Sequence, residues 1–172
     1  MKRTNVALLW LAAFAITIGS VVWQSHIAAL DPERGTVPAL LFLPHIATMF
    51  LGMLFSNAAV LSAAARRDQA RRQGWAAITL LAFGGLVLGP AVHKYAYGTW
   101  WADGLSGPDL TGIQSAVAVV VWGVALLVAR GTRWGGEPGR HSSWVAIVAA
   151  GVVTLAVFVV PRSLFGSGLE VQ

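Results

Sequence analysis

Histidines are the residues of this sequence best able to do chemistry inside its apolar segments. His26, His45 and His93 fall within or beside long apolar runs, whereas all seven Asp and Glu residues fall in polar stretches or near the C-terminal end. An ionisable side chain inside a membrane is costly and therefore marks a candidate functional site. Neutral imidazole is a ligand of haem iron and of copper, so these histidines indicate cofactor or metal binding.

His45 and His93 are predicted to lie at similar depths on neighbouring helices. At 1.5 Å per residue, His45 is about 9 Å from the outer start of its helix at Ala39, and His93 is about 12 Å from the outer end of its own helix. Helical steps lead from His45 to Met49 and from His93 to Gly89, along narrow and mostly apolar faces. Two such imidazoles could hold one b-type haem between helices 2 and 3 on the outer side.

Two other interpretations of the histidines stay open. A metal site could use His45 and His93, with His26 nearer the outer surface and with Met49, whose thioether favours copper(I). Each histidine could instead hydrogen-bond to water or to a backbone carbonyl and hold no cofactor. Pro90 could also kink the third helix and change which residues share a face with His93. The chain has no cysteine, which excludes thiolate metal sites and a cysteine nucleophile.

Long apolar segments must position these side chains. The chain of 172 residues is 56% hydrophobic and 11% charged, whereas about 25% of the residues in soluble domains are charged. Five apolar segments, each able to cross about 30 Å of hydrocarbon, cover residues 6–29, 39–65, 75–97, 112–129 and 143–160. The sequence therefore predicts an all-α fold, a single domain of five transmembrane helices in an inner (cytoplasmic) membrane.

Lys and Arg concentrate on one side of this predicted bundle. With the N-terminus inside, three of the 12 cationic residues lie on the outer side, namely Arg34, Lys94 and Arg162, and the others lie on the inner side. Cationic loops remain in the cytoplasm, so the N-terminus is predicted inside and the C-terminus outside. The same asymmetry explains the net charge of +5 without any nucleic-acid partner.

Small residues at four-residue spacing predict close contacts between the helices. The pairs are Ala59 with Ala63, Gly85 with Gly89, and Ser115 with Val119. Small side chains allow helix backbones to approach closely inside a membrane, where the hydrophobic effect does not drive helices together.

The tract from His93 to Gly104, with its Trp100–Trp101 pair, continues to Gly107-Pro108-Asp109-Leu110-Thr111. It resembles an outer-loop tract of uncharacterised prokaryotic multi-pass membrane proteins. The resemblance covers about twenty residues of the chain. It implies an ordered outer loop and carries no activity.

These observations predict a membrane-embedded subunit of a larger redox or respiratory assembly, with the haem serving electron transport beside a quinone pocket near Asp103 and Asp109. The alternative is a non-redox membrane anchor or scaffold subunit, and a third hypothesis is a small-molecule channel or transporter. Without a nucleophile–base pair or paired carboxylates, an enzyme acting alone is not predicted. The expected partners are the lipid bilayer and either other membrane or peripheral subunits or further copies of this chain.

Overall fold

The structure, a computed structural model, describes residues 3–28, 37–63, 67–98, 100, 110–130 and 140–159. Every regular element within these residues is helical: α1 (Arg3–Ala28), α2 (Ala39–Ala63), α3, α4 (Leu110–Ala129) and α5 (Arg140–Val159). The third helix is continuous and consists of an α-helix (Arg67–Leu81), a π-helix (Ala82–Leu88) and a second α-helix (Gly89–Tyr97). The predicted all-α fold is thus confirmed for the described residues.

Three of the helices, α1, α2 and α3, are long and apolar enough to cross a membrane, and α4 and α5 contain shorter apolar stretches. The most extensive packing joins α2 with α3, and the next joins α4 with α5. Because α3 also packs against α4, and α5 against α2, these four helices form a closed ring. α1 packs outside that ring, against α2 and α5.

Small and polar side chains make up most of the bundle interior. Alanines are buried in all five helices, together with these hydroxyl-bearing residues: Thr17, Ser20, Ser56, Ser62, Ser115 and Thr154. The largest fully buried side chains are Trp122, Leu81 and Leu126. Leucine, valine, isoleucine and phenylalanine side chains are instead exposed along the outer faces of the helices. Apolar surface on this scale indicates a bundle made to contact lipid or other proteins.

α3 begins at Arg67, eight residues before the predicted start at Trp75. Most of the residues in between are polar, so they do not extend the apolar segment, but most of them are good helix formers. They also continue the buried face of the helix, because Ala70, Gln73 and Ala77 are buried at helical spacing. The helix therefore extends beyond its apolar part.

Close helix contacts occur at the predicted pair Ala59 and Ala63, which are both fully buried. The sequence did not single out three further glycines where a neighbouring side chain occupies the space of an absent β-carbon: Gly52 against Leu81, Gly74 against Trp122, and Gly151 against Val60. These contacts join α2 with α3, α3 with α4, and α2 with α5. Glycine thus lets the ring close at each of those interfaces.

Candidate functional site

The π-helical segment of α3 ends next to Pro90, which explains the change in helix type. Pro90 has no N–H to donate to the carbonyl of Leu86, and its ring would clash with that carbonyl in an α-helix. The wider turn changes the faces that a period of 3.6 residues predicts. A β-carbon added at Gly89 would meet only the carbonyl oxygen of Gly84, at 3.6 Å. The predicted Gly85–Gly89 contact face is therefore wrong at Gly89, and the helix contacts lie at Gly84 and Gly85.

His45 reaches from α2 to this π-helical segment. Its Nδ1 lies 2.8 Å from the carbonyl oxygen of Gly84. Because a carbonyl oxygen can only accept a hydrogen bond, Nδ1 carries a proton and is the donor. Metal-ligating histidines commonly have this arrangement. The same bond also connects two helices at a point where one of them departs from α-helical geometry.

Thr48 and Met49 lie one turn further along α2 and face the same glycine. A β-carbon added at Gly84 would lie 2.6 Å from Thr48 Oγ1 and 3.0 Å from Met49 Sδ. Thr48 Oγ1 itself donates to the carbonyl of Pro44, at 2.7 Å, within α2. Side chains of α2 therefore lie directly against the backbone of the π-helical segment.

Ser115 brings α4 to the same place. A β-carbon added at Gly85 would overlap Ser115 Cβ and Oγ, and it would lie 3.7 Å from Met49 Sδ. Ser115 is fully buried, and its Oγ has no hydrogen-bond partner among the described residues. Sequence reasoning selected Ser115 only for its small size. Its position makes the Gly84–Gly85 step the point where three helices meet.

His93 lies in the last α-helical stretch of α3 and is 9% exposed. The contacts of Gly84 with Thr48 and Met49 fix the relative heights of α2 and α3. His93 follows Gly84 by nine residues along α3, and the Gly89–Tyr97 stretch that carries it also packs against α2. The equal depth of the two histidines, which the sequence estimate counts from the helix ends, stays a prediction. Joint ligation of a haem by the two histidines stays a prediction.

The gap between α2 and the π-helical segment is small. The added β-carbon at Gly84 would already lie closer to Thr48 and Met49 than the usual carbon contact of about 3.5–4.0 Å. A haem macrocycle is much wider than a methyl group. The residues around His45 therefore do not fit a haem between α2 and α3 at this level unless the helices separate.

His26 lies within α1, but its side chain is not among the described ones. Trp101, Asp103 and Asp109 also fall outside the described residues. The predicted roles of these four residues stay predictions. Lys94 helps to cap the end of α3 at Tyr97, because its Nζ donates to the carbonyl of Gly98 at 2.6 Å and its carbonyl accepts from the N–H of Gly98 at 2.9 Å. Gly98 has a left-handed backbone, with φ of 81°, which suits glycine.

Metal binding has limited support from the ligand set. Across the described ranges, no group of three or more His, Cys, Asp or Glu side chains is arranged to hold a metal ion. His45 and Met49 both approach Gly84, so an imidazole and a thioether lie near each other on α2. Binding of copper(I) by His45 and His93, with His26 and Met49 as further ligands, stays a prediction.

Comparisons of the chain with protein-family models, with curated proteins and with solved structures each found no match.

Proposed function

We propose that this chain is an integral membrane protein with five spans and a cytoplasmic N-terminus. The distribution of side chains supports the proposal, because large apolar residues face outward while small and polar residues fill the interior. Such an interior is expected where lipid surrounds the helices and close backbone contact holds them together. The cationic residues support the orientation, because they concentrate at the proposed cytoplasmic ends.

Single cysteines can test the topology, because the natural chain has none. We expect a membrane-impermeant maleimide to label Ser106→Cys and not Thr132→Cys when it is added to intact cells. The opposite labelling would overturn the orientation. Release of the unmodified chain from membranes by alkaline carbonate would overturn the membrane assignment itself.

Within the membrane, we propose that the protein is a non-redox anchor or scaffold subunit. The observation that carries this proposal is the hydrogen bond from His45 to the carbonyl of Gly84, in contact with Thr48 and Met49. This bond gives the histidine a structural role, because it connects α2 to the π-helical segment of α3. An embedded histidine with such a role does not require a cofactor.

A reduced-minus-oxidised spectrum of the purified protein tests this role together with its stability. We expect wild type and His45→Ala to show no b-type haem band and to differ in thermal stability, with the variant melting at the lower temperature. For a scaffold subunit, we also expect a membrane or peripheral protein to co-purify in constant stoichiometry. A b-type band that is present in wild type and lost in His45→Ala would overturn the non-redox proposal.

The second candidate is the redox subunit with one b-type haem held by His45 and His93, near the quinone pocket predicted on the outer side. The hydrogen bond of His45 favours it, because metal-ligating histidines commonly donate their other ring N–H to a backbone carbonyl, as Nδ1 does to Gly84. Such a haem would supply one-electron transfer. The close approach at Gly84 requires α2 and α3 to separate before the group could lie between them. Metal analysis of the same sample tests the copper alternative with Met49.

A further inference from the structure

Cationic side chains lie near an exposed indole at the ends of α3 and α4 that we propose to be cytoplasmic. The guanidinium carbon of Arg130 lies 4.5 Å from the centre of the Trp75 ring. Arg130 is exposed, and Trp75 is 38% exposed. A guanidinium over an aromatic face is attracted to the ring and keeps its outward N–H donors available to an anion.

Two more arginines share the face of Trp75. Arg71 and Arg72 precede Trp75 by four and three residues, so all three lie on one side of α3. Both arginines are exposed. Asp68 approaches Arg71 at 3.9 Å, but this ion pair is exposed and contributes little. We name the group of Arg71, Arg72, Trp75 and Arg130 the arginine–tryptophan surface.

Exposed apolar side chains continue this surface along both helices. Four-residue steps from Trp75 lead to Thr79, Phe83 and Val87 on α3, and steps of three or four residues from Arg130 lead to Leu127, Val124 and Val120 on α4. Except for Thr79, the side chains in these two rows are large, apolar and exposed. The surface therefore joins a cationic end to an apolar track between two helices.

We infer that the arginine–tryptophan surface binds the headgroup of an anionic phospholipid in the inner leaflet, with an acyl chain along α3 and α4. The inference rests on the proposed membrane orientation, which places this surface at the cytoplasmic leaflet. Anionic lipids are attracted to basic groups at that leaflet, and guanidinium groups bind phosphate through paired hydrogen bonds. Charge complementarity and the adjoining apolar track together select a lipid as the ligand.

Native mass spectrometry of the full chain in mild detergent tests the inference with phosphatidylglycerol and phosphatidylcholine. We expect wild type to retain phosphatidylglycerol at least fivefold more strongly than phosphatidylcholine. Arg130→Gln should lose about fivefold in affinity for the anionic lipid, as expected for one cation at the surface. Lys94→Gln removes one charge from the opposite end of α3 and should change that affinity less than about twofold.

Arg72→Gln provides a second variant if Arg130→Gln does not fold, because Arg72 is exposed. It should also weaken binding by about fivefold. Equal retention of the two lipids by wild type, or equal losses in Arg72→Gln and Lys94→Gln, would overturn the inference.

Competition separates the lipid from other anions. We expect millimolar glycerol phosphate and a polyglutamate peptide to leave the bound phosphatidylglycerol in place, because neither has an acyl chain. Displacement by glycerol phosphate would assign the surface to phosphate alone, and displacement by the peptide would assign it to an acidic protein segment. Either result would overturn the lipid assignment. A chain that resists carbonate extraction but shows no lipid preference would refute this inference and leave the proposed membrane topology intact.

Discussion

The interface between α2 and α3 differs from the interface that holds α1 to the bundle. Along α2 and α3, side chains of one helix lie against glycines of the other: Leu81 against Gly52, and Met49 against Gly84. His45 adds a hydrogen bond to the carbonyl of Gly84. This interface therefore depends on close approach of a side chain to backbone.

The contacts of α1 with α2 include hydrogen bonding and aromatic packing between side chains. Gly19 lies on the exposed side of α1, where an added β-carbon would meet nothing within 4 Å. The contacts of α1 with α2 include a hydrogen bond from Asn57 Nδ2 to Thr17 Oγ1, at 2.9 Å, and edge-on ring pairs of Trp10 with Phe55 and of Phe14 with Phe50. Polar and aromatic side chains thus contribute to holding α1 against α2.

The two interfaces should respond differently to substitution. Where a glycine receives a side chain from the facing helix, an added methyl group has no space and the helices must move. Where several separate side-chain contacts hold a helix, removal of one contact leaves the others in place. We therefore expect additions at α3 to cost more than deletions at α1.

The largest effect is expected from Gly85→Ala. The new methyl group would overlap Ser115 Cβ and Oγ, so α3 and α4 must separate. Insertion of a methyl group into a packed interior costs about 1–3 kcal/mol, and we expect a loss of unfolding free energy in this range. Thermal or denaturant unfolding in detergent measures it.

Gly19→Ala is the matched control, because open space surrounds that position. It should leave stability unchanged or raise it by about 0.5–1 kcal/mol, since alanine favours a helix over glycine. The double variant Gly85→Ala with Ser115→Gly should recover part of the loss. Equal effects of the two alanine substitutions would show that the contact of Gly85 with Ser115 does not limit the packing of α3.

His45→Ala should have the next largest effect. It removes the hydrogen bond to Gly84 and leaves the carbonyl at the π-helical segment without this donor. Hydrogen bonds between helices in membranes contribute about 0.6 kcal/mol on average and up to about 1.7 kcal/mol. We expect a loss of about 1 kcal/mol, together with faster hydrogen exchange confined to the neighbourhood of the π-helical segment. Unchanged exchange there would show that the bond does not stabilise the segment.

Asn57→Leu tests the hydrogen bond that connects α2 to α1. Asn57 and Thr17 are both buried. The variant replaces the Asn57 amide, which donates to Thr17 Oγ1, with an apolar group. Thr17 Oγ1 keeps its own hydrogen bond to the carbonyl of Ala13. We expect a loss of about 0.5 kcal/mol, measured as faster proteolysis or hydrogen exchange of α1 alone. Global destabilisation as large as that of Gly85→Ala would contradict the comparison.

The smallest effect is expected from Trp23→Phe. Trp23 Nε1 donates to the carbonyl of Val159 at 3.0 Å, which joins α1 to the end of α5. Trp23 is exposed, so loss of this bond should cost only a few tenths of a kcal/mol. A midpoint shift within experimental error of wild type agrees with the comparison, and a shift larger than that of Asn57→Leu contradicts it.

The helix content followed from the sequence because hydrophobic length is a local property. The apolar segments 39–65 and 75–97 correspond to most of α2 and α3. Local packing signals were also readable, since Ala59 and Ala63 are buried as their spacing predicts. The start of α3 could not be predicted from apolar length, because most residues of its first turns are polar. Those turns are helical because they continue the buried face of the helix, which includes Ala70.

The arrangement at His45 could not be read from the sequence for a different reason. The π-helical turn before Pro90 shifts the helix phase, so Gly84 rather than Gly89 faces α2. The relative height of His45 and His93 depends on which residues of two helices touch. Counting from helix ends does not determine that register, because the ends themselves vary by several residues.

The stability of His45→Asn relative to His45→Ala tests most directly whether His45 is a structural tie. An asparagine places an N–H donor near the position of Nδ1 but lacks the imidazole Nε2 that a haem or copper site would use. We predict that His45→Asn restores most of the unfolding free energy lost in His45→Ala. If asparagine and alanine destabilise the protein equally, the hydrogen bond to Gly84 is not what the histidine contributes, and the account is contradicted.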